Sequence, residues 1–314
     1  MNRAAAESAQ SGTLLRVNVF SVSSNLPLLV GLERGIFAGR DLKIELQYTP
    51  NSDQQREGLA AGRFEIAHAG IDNAVAMVES AKEDVVIVMG GDSGMNEFMV
   101  RSEIASFADI RGKLLAVDAP ATSYALVAKK ILKNNGLIEG RDYTVKAVGG
   151  TQPRAAAMAS TPELAAGMVN PPFSFTIRDQ GLKSFGRVGD LVGPYQATSA
   201  YVMRKWGREN AFVLESYIAA YIEAVRYAMN PANRAEMVDL LAARFKLESA
   251  IAERTYGALM TPGFGMAADA RLDMAGFRNV LAIRAEIEGM GGTVPAPDKY
   301  LDLSYYERAV QKLS

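Results

Sequence analysis

Short apolar runs and amphipathic stretches alternate along most of this chain, and the alternation occurs twice. Residues 14–20 read as a strand, followed by a polar turn through Asn25. Residues 26–37 read as a helix, with Leu28, Leu29, Leu32 and Ile36 apolar and Pro27 suited to the first turn. Residues 42–48 alternate with period two, as a half-buried strand does, and residues 53–61 form a helix closing at Gly62. A strand over 64–69, a helix over 71–81 and a continuously apolar strand over 84–89 complete the first set. Such β-α alternation predicts a parallel sheet with crossover helices. Residues 97–101 read as a further strand leaving this unit. The pattern then restarts, with strands at 114–117, 143–148 and 164–169 and helices at 123–135, 152–159 and 173–181. One more strand covers 197–204. From Trp206 on the pattern is helical, over 212–229, 231–245, 248–259, 270–290 and 300–313, and this tail is expected to clad the first unit.

Two successive α/β units imply two lobes with a cleft between them. With no low-complexity linker, the boundaries are expected where the chain crosses between lobes, near Arg101 and near Tyr195. The first lobe is then 14–101 plus 197–314, the second 102–196, and residues 1–13, small and polar, are expected to be disordered. Residues 114–136 carry the strongest local signal. A strand feeds the small-residue loop 118–123 and then a helix with Tyr124, Val127, Ala128, Ile131 and Leu132 on one side and lysines on the other. Gly136 stands where a left-handed residue ends a helix, and Thr122 or Ser123 is placed to cap its start. A small-residue loop at a helix N-terminus offers backbone donors to an anion or a polar ligand head. An ordinary β-loop-α connection has the same sequence.

Composition narrows the chemistry. The chain has 314 residues, no cysteine, a single histidine (His68) and a formal net charge of -1. Thiolate catalysis, disulfides and Cys-based zinc sites are excluded, and a Ser-His-Asp enzyme or multi-histidine metal site has almost no material. No basic surplus exists for nucleic-acid binding. No apolar run reaches the roughly 20 residues of a membrane span. The first thirteen residues hold no signal-peptide core; they read as the loose start of an exported protein whose leader has been removed, or as an ordinary polar N-terminus.

In open α/β sheets ligands bind beyond the carboxyl ends of the strands, and four such junctions are rich in small or polar residues. They contribute Ser23, Ser24 and Asn25; Asp72 and Asn73; Ala121, Thr122 and Ser123; and Gln152 with Arg154. Each alone is also an ordinary turn. Arg154, in the first turn of a helix where a cation opposes the helix dipole, is a candidate clamp for a carboxylate, sulfonate or phosphate. It is equally placed for solvation or for an ion pair with Asp118 or Asp179. Phe173 or Phe175, after Pro171-Pro172, is a candidate ligand-facing ring, with core packing the alternative. His68, inside an alternating strand, reads as a hydrogen-bonded structural histidine. No paired carboxylates stand at a spacing that suggests acid–base work.

Pro27-Leu28-Leu29-Val30-Gly31-Leu32-Glu33-Arg34-Gly35-Ile36-Phe37, Gly58-Leu59-Ala60-Ala61-Gly62-Arg63-Phe64-Glu65-Ile66-Ala67, Asp109-Ile110-Arg111-Gly112-Lys113 and Asn170-Pro171-Pro172-Phe173 carry a resemblance. Over residues 14–204 the chain resembles the substrate-binding proteins of ABC importers in the nitrate, taurine and aliphatic-sulfonate group, which includes pyrimidine-precursor binders. The resemblance implies a type II periplasmic-binding-protein fold of two α/β lobes joined by two crossovers. It also implies closure on the ligand by a hinge, a periplasmic location, a permease partner in the inner membrane and a monomeric receptor with no cofactor. It supports Ser23, Ser24, Asn25, Asp72, Asn73, Ala121, Thr122 and Ser123 as ligand contacts and adds Gln196 at the second crossover. Where the family often has Gly-x-Val/Ile-Asp-Ala, this chain has Ser160-Thr161-Pro162-Glu163. The ligand expected is a small anion or polar aromatic molecule: a sulfonate, a carboxylate, nitrate or a pyrimidine. The alternative is an enzyme on the same fold, akin to a pyrimidine-precursor synthase or a menaquinone-pathway enzyme; the cysteine-rich motif of the first is absent. A transcription-regulator effector domain would need an N-terminal DNA-binding helix pair, for which thirteen residues before the first strand leave no room.

Overall fold

The computed structural model describes residues 12–289 and 293–313. The first eleven residues of the expected disordered segment lie outside the described residues. In chain order the first set is β1 (Thr13–Val19), α1 (Leu26–Glu33), β2 (Leu42–Tyr48), α2 (Ser52–Ala60), β3 (Ile66–Gly70), α3 (Ile71–Glu79) and β4 (Val85–Gly90). The second set is β5 (Glu97–Val100), β6 (Lys113–Val117), α4 (Ser123–Asn134), β7 (Tyr143–Ala147), α5 (Thr151–Ser160), β8 (Leu164–Val169), α6 (Phe173–Asp179), β9 (Lys183–Arg187) and α7 (Val188–Val192). β10 (Thr198–Met203) follows, and then the helical tail of α8 (Arg204–Glu209), α9 (Ala211–Met229), α10 (Arg234–Phe245), α11 (Ser249–Leu259), α12 (Met274–Glu288) and α13 (Ser304–Gln311). None of the described helices is long and apolar enough to cross a membrane.

The strands form two five-stranded sheets, ordered β2-β1-β3-β10-β4 and β7-β6-β8-β5-β9. β1 pairs in parallel with β2 and β3, and β6 in parallel with β7 and β8. Each sheet also holds one antiparallel strand: β10 between β3 and β4 in the first, β5 between β8 and β9 in the second. This corrects the expected lobe boundary. β5 was placed in the first lobe by its position in the chain, yet Phe98 pairs with Met168 and Val100 with Ala166. The outgoing crossing therefore lies in residues 91–96, ahead of Arg101, and the return lies in 193–197. The two crossings are stitched together. The Asp92 carbonyl accepts from the Ala197 amide at 3.0 Å, and the Thr198 hydroxyl donates to the Asp92 carboxylate at 2.6 Å.

Local chemistry explains most element ends. α1 stops four residues short of its expected end because Gly35 takes φ +67°. α2 is capped by Asn51, whose side chain accepts from the Gln54 amide. α12 begins at Met274, not near residue 270, because Asp273 is extended and its side chain accepts from the Ala275 amide. α4 ends with Gly136 at φ +76°, as its sequence predicts. Its start differs from expectation: Thr122 is the capping residue but caps nothing, since its hydroxyl donates to the Ala119 carbonyl at 2.9 Å.

The tail does not clad the first lobe alone. α9 is buried along most of its length against α1 and the first sheet, through Leu214, Ile218 and Ile222. α12, however, lies against α3 of the first lobe and α4 of the second, and α11 packs on α6 of the second lobe. Glu286 on α12 accepts from Lys130 and Lys133 of α4 at 2.7 and 3.0 Å. The tail is thus a brace across both lobes.

Candidate functional site

The lobes are shut against each other along the carboxyl ends of their strands. The Ser23 hydroxyl donates to the Pro171 carbonyl at 2.7 Å, and the Gly150 amide donates to the Pro50 carbonyl at 3.0 Å. The Ser52 amide donates to Asp118 Oδ2 at 3.0 Å. Behind these contacts lies an interlobe cavity with an empty volume of about 660 Å³ counted to its mouth.

Six of the residues singled out in the sequence line this cavity: Ser24, Asn25, Asn73, Thr122, Ser123 and Arg154. The other six do not. Ser23 is buried in its bond to Pro171. Asp72 is turned away into a buried ion pair with Arg284, at 2.6 and 3.1 Å. Ala121 lies on an outer groove and its carbonyl accepts from Arg284 at 3.2 Å. Gln152 is exposed on α5. Phe173 meets the ring of Phe245 edge-on at 6.3 Å. Gln196 joins the crossings to the tail, donating to the Thr198 carbonyl at 2.6 Å and accepting from the Asp273 amide at 2.7 Å. Ser23, Asp72, Ala121 and Gln152 are candidates by their place at strand ends, and a strand end does not say which face of the loop turns inward; Phe173 is a candidate as a ring at a helix start, and Gln196 through the resemblance.

Sequence reasoning missed Phe20, Ser52, Asp118, Tyr124, Asn170 and Tyr221, which also line the cavity. Asp118 and Asn170 directly follow β6 and β8, so the strand-end rule applied consistently would have found both. Tyr221 comes from the middle of α9, and no local signal marks it.

Arg154 is neither solvated nor hydrogen-bonded to an acid. It is 1% exposed, and Nε donates to the Met168 carbonyl and Nη1 to the Gly149 carbonyl, both at 2.8 Å. Nη2 reaches Thr151 Oγ1 at 3.3 Å. Burial pulls its pKa below the usual arginine value while the field of Asp118 opposes that pull. Asp179, the other acid considered for it, pairs instead with Arg254. A guanidinium carries five N–H donors, and these contacts engage three of them. Four polar atoms on other lining residues, Asp118 Oδ1, Asn73 Oδ1, Asn170 Oδ1 and Ser123 Oγ, are buried with no hydrogen-bond partner among the described residues. Buried polar atoms are nearly always partnered, so such a cluster marks a place for a polar ligand.

His68 supplies one wall as a structural group. Its Nε2 shares a hydrogen bond with the Tyr217 hydroxyl at 2.7 Å, and its ring lies 5.2 Å from that of Tyr221. Burial lowers its pKa to about 3. A group whose folded pKa is depressed from 6.5 keeps its contribution above pH 6.5 and loses it as pH falls toward 3, because the unfolded chain takes the proton first. The unfolding free energy is therefore expected to fall between pH 6.5 and 3 by up to about 1.4 kcal/mol per pH unit more in the wild type than in His68→Gln. Denaturant titrations of both proteins across that range check this; parallel pH profiles would contradict it.

Comparison with known proteins agrees with this geometry. The sequence model of the NMT1-like family matches residues 8–242. No curated protein sequence matches the chain. Among solved structures it is similar to the ligand-binding component of an ABC-type import system from Staphylococcus aureus, determined with zinc bound. The identity is 15% and the TM-score 0.77, covering 95% of this chain and 99% of that one. It is similar to the periplasmic nitrate-binding protein NrtA from Synechocystis PCC 6803, at 15% identity and TM-score 0.79, over 97% and 90% of the two chains. It is also similar to the alkanesulfonate-binding protein SsuA from Xanthomonas axonopodis pv. citri bound to MOPS, at 19% identity and TM-score 0.72, over 90% and 94%. These likenesses establish the periplasmic-binding-protein fold expected from the sequence.

Proposed function

The chain belongs to the NMT1-like family, and from that premise we propose that it is the solute receptor of an ABC importer, working in the periplasm and delivering its cargo to a membrane permease. The cargo is a small anionic or polar aromatic molecule held between the lobes. One observation carries the reading: a small cavity shut between two lobes, with a cluster of buried polar atoms that nothing among the described residues satisfies. The paired crossings at Asp92 and Thr198 supply the hinge, and Ser23, Ser52 and Gly150 supply the contacts that shut the jaw. The names of the three similar structures support the same reading.

Protein purified natively is expected to release a stoichiometric small molecule on denaturation, identifiable by mass spectrometry. Adding that molecule back to refolded or dialysed protein is expected to raise the melting temperature. Arg154→Ala should weaken its binding by about 1.5–3 kcal/mol, the range for a hydrogen bond to a charged group. Protein that releases nothing, and that no solute stabilises, would refute the receptor reading.

A further inference from the structure

The hydrogen bonds around Asp118 determine which way its neighbours face. Asp118 sits at the carboxyl end of β6, in the second lobe, and its Oδ2 accepts from both the amide and the hydroxyl of Ser52 in the first lobe. With its one O–H committed as a donor to Asp118, the Ser52 hydroxyl accepts from Asn73 Nδ2 at 3.0 Å. That fixes the Asn73 amide with its NH2 toward Ser52 and leaves Asn73 Oδ1 unpartnered. Asp118 Oδ1 is likewise buried without a partner. Both residues line the cavity, so from this side it presents two oxygens that only accept hydrogen bonds. Arg154 lines the same cavity with donors to spare.

We propose that Asp118 makes the cleft selective for solutes that offer an N–H or O–H donor beside an acceptor, and selective against bare oxyanions such as nitrate or a sulfonate. This rests on the receptor reading above and narrows its cargo. An oxyanion has only acceptors. It could meet Arg154, but it would set oxygen against oxygen at Asp118 and Asn73, where a carboxylate repels it. A solute with a donor satisfies Asp118 Oδ1 and, through Oδ2 and Ser52, engages the bond that joins the two lobes.

Asp118→Asn tests this as a reversal. The amide keeps one oxygen for Ser52 and turns an NH2 group to the cavity. Thermal shift and calorimetry on the full chain would compare nitrate and ethanesulfonate with cytosine, nicotinamide and β-alanine. The wild type is expected to ignore the two oxyanions, and Asp118→Asn to bind at least one of them about tenfold or more tighter than the wild type does. Asp118→Ser, which removes the carboxylate without adding bulk, serves if the amide variant does not fold. Oxyanions that stabilise the wild type as well as they stabilise the variant would overturn the selectivity and leave the receptor reading standing. So would variants that gain no oxyanion binding while a donor-bearing probe binds the wild type. If no probe stabilises any of these proteins, the receptor reading falls and the selectivity with it.

Discussion

Arg284→Met is expected to lower the unfolding free energy by about 3–5 kcal/mol, the cost of leaving a buried partner charge unpaired. Arg284 and Asp72 are the most deeply buried ion pair in the protein as described, with side chains 3% and 2% exposed. The guanidinium meets both carboxylate oxygens and also donates to the Ala121 carbonyl. Burial acts against the Asp72 charge, and Arg284 is the chief group opposing that effect. Without it the carboxylate stays buried and loses its chief counter-charge. The double variant Asp72→Asn/Arg284→Met removes both charges and is expected to recover most of the loss, because the pair's own net worth is small beside its desolvation. Urea titration of the wild type, both single variants and the double variant measures this as a cycle. Single variants within about 1 kcal/mol of the wild type would mean that water reaches the pair. The location gives the pair a further consequence. Asp72 lies on α3 in the first lobe, Ala121 precedes α4 in the second, and Arg284 lies on the brace between them.

That contact also shows where a reading of the sequence stops. Asp72 was legible as a polar residue at a strand end, and a pocket role was the natural expectation. Its partner lies 212 positions away, on a helix whose sequence gives no sign of which lobe it crosses. Local periodicity located the strands and helices because backbone hydrogen bonding and one-sided burial repeat every two or 3.6 residues. It could not assign β5 to a sheet, since an apolar four-residue strand pairs equally well with either edge until tertiary packing decides. β9 and α7 went unread for a related reason. Residues 183–192 carry lysine, arginine, aspartate and two glycines, and β9 lies half-exposed at a sheet edge. Within the site, Arg154, Thr122 and Ser123 were visible through their position at strand ends. The acceptor character of the cavity was not, because it depends on which amide atom of Asn73 a serine from another helix occupies.

Gly70→Ala is expected to weaken solute binding by about 5- to 150-fold while leaving the fold intact, the equivalent of about 1–3 kcal/mol of overpacking. Gly70 ends β3 in the first lobe with φ -53° and ψ 128°, a backbone conformation open to alanine without strain. Within its own lobe a methyl group has ordinary space. The obstacle comes from across the cleft, where an added Cβ would lie 2.4 Å from Ser123 Oγ and 2.8 Å from Ser123 Cβ. The hydroxyl can rotate away. The Ser123 Cβ is fixed by the first turn of α4 and cannot, so relief requires the lobes to part by a fraction of an ångström. Parting also stretches the neighbouring interlobe bond between Ser52 and Asp118, which loses strength steeply with distance. The substitution therefore penalises the shut state and spares the open one. Calorimetry with the co-purifying solute measures the loss, and the unliganded melting temperature serves as the control for folding. Adding Ser123→Gly to Gly70→Ala removes the atoms in conflict and is expected to restore most of the affinity, once the effect of Ser123→Gly alone is subtracted. A Gly70→Ala protein that binds like the wild type would mean that the solute-bound jaw does not close at Gly70 and Ser123.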